Sequence, residues 1–158
     1  MRYLLGPGGD DRRFLRAAIE LSRQCPPSDT AFAVGAIVVA AAGDVMATGF
    51  SREQEPQDHA EEVALRKLDP ADPRLATATI YSSLVPCGDR ASRPVTCVEH
   101  ILAAGIGRVV FAWREPPIFT EGRGAEQLRA AGLTVVEIPE LAEAAAAVNA
   151  PVLGRASS

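Results

Sequence analysis

The sequence predicts an α/β protein, a three-layer α/β/α sandwich around a mixed, mostly five-stranded sheet. Three observations predict it. An apolar hairpin comes early in the chain, strands and helices alternate after it, and the runs 33–40 and 108–113 are apolar at nearly every position, as strands buried on both faces are. A chain of 158 residues, 47% of them hydrophobic, is long enough to bury roughly two-thirds of its unfolded surface. One domain over 1–158 is expected, with its core over about 10–148 and a frayed tail over 151–158.

Taken in order, Asp10 and Asp11 precede Phe14, Leu15, Ala18, Ile19 and Leu21, an apolar stripe at helical spacing with acid at its N-terminal end. That helix should stop before Pro26-Pro27. Ala33 to Ala40 and Val45 to Phe50 form two strands joined by a turn at Ala42-Gly43-Asp44, hence an antiparallel hairpin. Residues 59–68 are helical and end at Asp69-Pro70. Thr77 to Ser82 is a strand, Leu84 to Thr96 irregular, and Cys97 to Ala104 a helix capped by Gly105. Arg108 to Trp113 is a buried strand followed by a Pro-rich loop. Gly124 to Ala131 is helical, Leu133 to Ile138 a strand, and Glu140 to Val148 an Ala-rich helix. No internal repeat or linker divides the chain.

Composition narrows the function. A net charge of −4 argues against a general nucleic-acid binder, which carries a basic field. No basic segment leads into an apolar run at the N-terminus, and no apolar stretch reaches the ~20 residues a bilayer span needs. A cytoplasmic protein without a membrane partner is expected. The three cysteines, Cys25, Cys87 and Cys97, read as intracellular thiols, two of them close enough to share a metal.

The chemistry lies in His59-Ala60-Glu61, Pro86-Cys87 and Cys97. One imidazole and two thiolates make three zinc ligands and leave the fourth tetrahedral position to water. Zinc lowers the pKa of that water toward ~7, which makes hydroxide available as a nucleophile. Glu61, two residues from His59 at a helix start, can take the water's proton and return it to a ring nitrogen and then to departing ammonia. The loop between the cysteines runs into a helix whose N-terminal amides favour anionic sulfur.

In these residues the sequence resembles the cytidine-deaminase superfamily, whose H-x-E and P-C-x-x-C signature marks zinc base deaminases. The wide gap from Cys87 to Cys97 looks more like the deaminase domain of the bifunctional riboflavin-biosynthesis proteins, here without the reductase domain. The likeness extends through 34–39, 101–106, 108–110 and 128–132. It implies a cytidine deaminase-like fold, a Zn2+ cofactor and a hydrolase acting on C–N bonds of cyclic amidines.

Three departures qualify it. The family's Thr-Leu-Glu-Pro-Cys reads Ser83-Leu84-Val85-Pro86-Cys87, without the acid that could orient the metal site. The insert 88–96 is one residue longer and lacks the family's histidine pair. Ala31-Phe32-Ala33 replaces Pro-Asn-Pro, which removes a polar contact to the substrate ring.

Other side chains carry two readings each. Phe32 is a stacking surface for a ring or a core aromatic. Asp89, Arg90 and Arg93 rim the pocket, where arginine suits a phosphate or carboxylate, or form a solvated loop. Trp113 stands at the carboxyl edge of its strand; with Phe119 it closes over substrate or joins a subunit contact. Ser83 completes the expected substrate contacts. His100 supports the ligand set or is an exposed helix residue, and Cys25 is a thiol outside the site.

The function these residues favour is hydrolytic deamination of a small aminopyrimidine as free base, nucleoside or ribosyl phosphate, by a homodimer. Two alternatives are a deaminase of bases within nucleic acid and a zinc-binding module with degenerate catalysis.

Overall fold

The computed structural model describes residues 9–28, 30–88, 94–114 and 123–157. The five strands are β1 (Gly35–Val39), β2 (Val45–Phe50), β3 (Thr79–Leu84), β4 (Arg108–Trp113) and β5 (Thr134–Glu137). The helices are α1 (Gly9–Ser22), α2 (Ala60–Arg66), α3 (Cys97–Ala104), α4 (Gly124–Ala130), α5 (Ala142–Val148) and α6 (Ala150–Ser157). The sheet order is β2-β1-β3-β4-β5, with β1 antiparallel to both β2 and β3, and β3, β4 and β5 parallel. The expected mixed sheet of five strands is therefore the fold.

Alternation along the strands builds the layers. Ala36, Val38, Ile80, Leu84 and Val109 face a core shared with Ala60 and Ala64 of α2, Val98 and Ile101 of α3, and Leu128 of α4. Ile37, Val39, Tyr81, Val110, Ala112 and Val136 face the opposite core, with Phe14, Leu15, Ala18 and Ile19 of α1 and Ala145 of α5. The second layer also holds a charged group: Asp11 takes both Nη atoms of Arg108, at 2.9 and 2.7 Å, and the Tyr81 hydroxyl at 2.6 Å. Buried charge is tolerated there because every partner is hydrogen-bonded.

Helix α2, which carries the site, lies very close to β2. A Cβ on Gly49 would meet the Ala64 nitrogen at 2.6 Å and the Ala60 carbonyl oxygen at 2.5 Å, so only glycine allows this approach.

Several boundaries shift by a residue or two, and three differences from expectation have a visible physical reason. Strand β3 runs over 79–84 rather than 77–82, because Pro73–Thr77 forms a 3-10 turn whose Asp72 cap accepts from the Arg74 N–H at 2.9 Å. The last expected helix begins as a 3-10 turn at Pro139–Leu141 before α5. The tail expected to fray over 151–158 is helical to Ser157, with Val152 only 3% exposed. Asn149, between α5 and α6, explains this: its side chain pairs with both the N–H and the C=O of Ala33, at 2.6 and 3.0 Å, and docks the tail to the loop before β1.

Candidate metal and catalytic site

His59 is the N-cap of α2, in an extended conformation. Its backbone N–H donates to Glu62 Oε1 at 2.9 Å, which satisfies a donor the helix itself leaves open. The chain before it is folded around Asp58, 1% exposed. Asp58 accepts from the N–H groups of Gln54 (3.1 Å) and Glu55 (2.7 Å) and from Arg66 Nη2 (2.8 Å). Burial pushes the Asp58 carboxyl up, but Arg66 and those amides outweigh it and hold it below its ordinary value.

Cys87 follows β3, and Cys97 is the first residue of α3. Thr96 caps that helix by accepting from the Glu99 N–H, while Glu99 accepts from the Thr96 N–H. The next two helix amides serve Cys87: Cys97 N–H donates to its sulfur at 3.2 Å, and Val98 N–H to its carbonyl at 3.1 Å. The hydrogen bond from the Cys97 side chain outweighs burial and, with His59, lowers the Cys87 thiol to about 4; the helix-end amide of Cys97 adds the smallest contribution.

The three donors converge. His59 Nδ1 lies 3.2 Å from Cys97 Sγ and 3.5 Å from Cys87 Sγ, and all three ligand atoms lie within 4.8 Å of one another. Tetrahedral zinc with ordinary Zn–N and Zn–S bonds separates nitrogen from sulfur by about 3.6 Å, so the set fits zinc with shifts of a few tenths of an ångström. Imidazole with two thiolates is also a donor chemistry zinc accepts. Among the described residues, no fourth His, Cys, Asp or Glu joins this group.

Glu61 is the second residue of α2 and is 3% exposed. One oxygen, Oε1, lies 3.7 Å from Cys97 Sγ; the other, Oε2, accepts from Ser82 Oγ at 3.1 Å. Burial raises the carboxyl above its ordinary value; the His59 charge opposes this and the Cys87 charge adds to it. A buried acid beside three candidate metal donors, with a raised proton affinity, is equipped to accept and release a proton.

Of the other expected residues, Phe32 and Trp113 meet edge to face with ring centroids 5.5 Å apart. Trp113 pairs with Leu84 across the strands, and its carbonyl accepts from the Val85 N–H at 2.8 Å, which sets it beside the Pro86-Cys87 segment. Ser83 is buried and its Oγ accepts from the Gly35 N–H at 3.1 Å. Val85 packs with Phe111 and Ala125 in an apolar cluster. His100 Nε2 stands 3.4 Å from Glu62 Oε2, linking α3 to α2. Cys25 lies outside the donor group; its Sγ is 3.5 Å from the Val34 carbonyl, and burial raises its thiol. Asp89, Arg90, Arg93 and Phe119 lie outside the described residues.

The sequence reading missed Ser82, Asp58 and Glu62. Glu62 had a signal, the i to i+3 spacing from His59 that a capping box uses. Ser82 had one only in hindsight of the sheet, as a polar residue in an apolar stripe.

The fold and site together define a zinc-binding α/β/α domain of the deaminase class. The family model for the cytidine and deoxycytidylate deaminase zinc-binding region matches residues 9–113, and the chain belongs to that family. A fission-yeast (Schizosaccharomyces pombe) diaminohydroxyphosphoribosylamino-pyrimidine deaminase is 36% identical over 138 residues, covering 85% of this chain and 33% of the relative. The riboflavin biosynthesis protein RibD of Aquifex aeolicus is 33% identical over 129 residues, covering 79% and 34%. The chain thus spans about a third of these relatives' length. Among solved structures, the Aspergillus oryzae Rib2 deaminase (a C-terminal deletion mutant) superposes with a TM-score of 0.74 at 26% identity, covering 94% of this chain and 97% of that one. A Thermotoga maritima diaminohydroxyphosphoribosylaminopyrimidine deaminase/reductase gives 0.80 at 28%, covering 94% and 41%. The family and fold that the sequence resembled are therefore borne out.

Proposed function

We propose that this chain is a zinc-dependent hydrolytic deaminase of a small aminopyrimidine, with a diaminopyrimidine bearing a ribosyl phosphate as its preferred substrate. The observation that carries the reading is the meeting of His59 Nδ1, Cys87 Sγ and Cys97 Sγ beside the buried Glu61 carboxylate. The substrate class is supported by the names of its relatives and by the Aspergillus enzyme, whose structure was solved in complex with DARIPP.

His59, Cys87 and Cys97 would hold the metal, which when bound supplies a Lewis acid that makes water ionisable at neutral pH. The remaining steps belong to the chain. Glu61 accepts the proton of the attacking water through Oε1, which faces the donors, and passes it to the ring nitrogen adjacent to the amino-bearing carbon. A further proton moves by the same carboxylate to the exocyclic amine. The C–N bond breaks, ammonia leaves, and the ring carbon keeps the oxygen as a carbonyl. Burial suits Glu61 to this work, because it raises the carboxyl's affinity for the proton it must take up and hand on. Phe32 and Trp113 offer aromatic surface for the ring, and the reading extends to a cytoplasmic homodimer acting on free small molecules.

The test is ammonia release by zinc-loaded protein from a panel of cytosine, cytidine, deoxycytidylate and the diaminopyrimidine ribosyl phosphate. Turnover of the last, lost in Glu61→Gln with zinc retained, is expected. Equal inertness of both proteins across the panel would refute the reading.

A further inference from the structure

We infer that Ser82 is a positioning residue for Glu61, fixing which carboxylate oxygen faces the metal donors. The inference rests on the deaminase reading above and gives that site a part no motif assigns.

Ser82 sits on β3 between Ile80 and Leu84, which point to the same side of the sheet and belong to the core beneath α2 and α3. Strand periodicity asks for an apolar residue there. The chain instead places a hydroxyl that is 0% exposed. A buried hydroxyl is unfavourable unless it is bonded, and this one directs its single proton between two acceptors in a three-centre bond: the Leu84 carbonyl at 2.7 Å and Glu61 Oε2 at 3.1 Å. The first fixes the hydroxyl to its own strand. The second reaches across to α2 and holds one carboxylate oxygen, so that the other, Oε1, is the one turned to Cys97.

An untethered glutamate turns about its terminal bond, where the torsional preference is broad. Ser82 removes that freedom. It also lies on the strand whose end leads to Cys87, so one rigid element sets both the acid's orientation and a metal donor. Catalytic groups displaced by about 1 Å lose on the order of 100-fold in rate.

The experiment compares wild type, Ser82→Ala and Ser82→Thr as zinc-loaded full chains. Ser82→Ala should lower kcat by about tenfold to a hundredfold with KM little changed, while zinc per chain stays at its wild-type value and the melting temperature falls only by the modest amount one lost buried hydrogen bond accounts for. Ser82→Thr, which keeps the hydroxyl, should recover most of kcat. Independently of turnover, a crystal structure of Ser82→Ala should show the Glu61 carboxylate rotated or in more than one orientation. An unmoved carboxylate, or a kcat within twofold of an active wild type, would overturn the inference. An inert wild type would instead overturn the deaminase reading and leave the crystallographic arm to decide the role of Ser82.

Discussion

Gly124, the first residue of α4, lies directly against the carbonyl of Pro86: a Cβ on Gly124 would collide with the Pro86 oxygen. Pro86 precedes Cys87, so the start of α4 sets the position of a candidate metal donor. Gly124→Ala must push that backbone aside, at a cost of about 1–3 kcal/mol, the range for overpacking a well-packed site. A lower melting temperature and weaker zinc retention against a chelator are expected. Gly107→Ala is the control: a Cβ there meets only the Ala76 oxygen, at 3.5 Å, and both properties should stay unchanged.

Asp58 holds the turn that delivers His59. Asp58→Ala leaves the N–H groups of Gln54 and Glu55 without their acceptor and should destabilise the fold by about 1–3 kcal/mol, measured by urea unfolding at pH 7. The pH dependence has a definite sign. A carboxyl held below its ordinary 3.8 in the folded state adds stability at pH values above 3.8 and loses it as pH falls through its lower folded value. The gap between wild type and Asp58→Ala should therefore be widest near neutrality and shrink in acid.

Tyr81 governs the alkaline side. Burial, then the hydrogen bond to Asp11, raises its phenol above the ordinary 10.0. Above pH 10 the folded chain then holds more protons than the unfolded one, so stability falls as pH rises. Tyr81→Phe removes this dependence. Its unfolding free energy should decline less between pH 10 and 11 than that of wild type; parallel declines would show that Tyr81 does not contribute.

Much of the fold and of the site was legible because it depends on local pattern. The hairpin follows from two apolar runs around Gly43, and α3 from Gly105 at its C-terminal end. His59, Glu61, Cys87 and Cys97 were legible as residue types whose joint chemistry is narrow. What was not legible depends on contacts distant in sequence. Asn149 reaches Ala33 across 116 positions and turns an expected loose tail into α6. Ser82 makes sense only once β3 is seen to lie beneath α2. Val85 looked like a missing acid; in the fold it fills an apolar niche with Phe111 and Ala125.

His100 separates an open metal site from a closed one. Its Nε2 is 3.4 Å from Glu62, and among the described residues the donor group contains only His59, Cys87 and Cys97. His100→Ala should keep one zinc per chain and lower stability by no more than about 1 kcal/mol, as for a partly exposed polar contact. Loss of stoichiometric zinc in that variant would make His100 a ligand and argue for a structural site.

X-ray absorption at the zinc edge of the loaded wild-type chain tests the account most directly. It should report two sulfur scatterers at about 2.3 Å and two nitrogen or oxygen scatterers at about 2.0–2.1 Å, one of them replaceable by an added small anion. A shell with four protein donors and nothing replaceable, or a chain that binds no stoichiometric zinc, would contradict it.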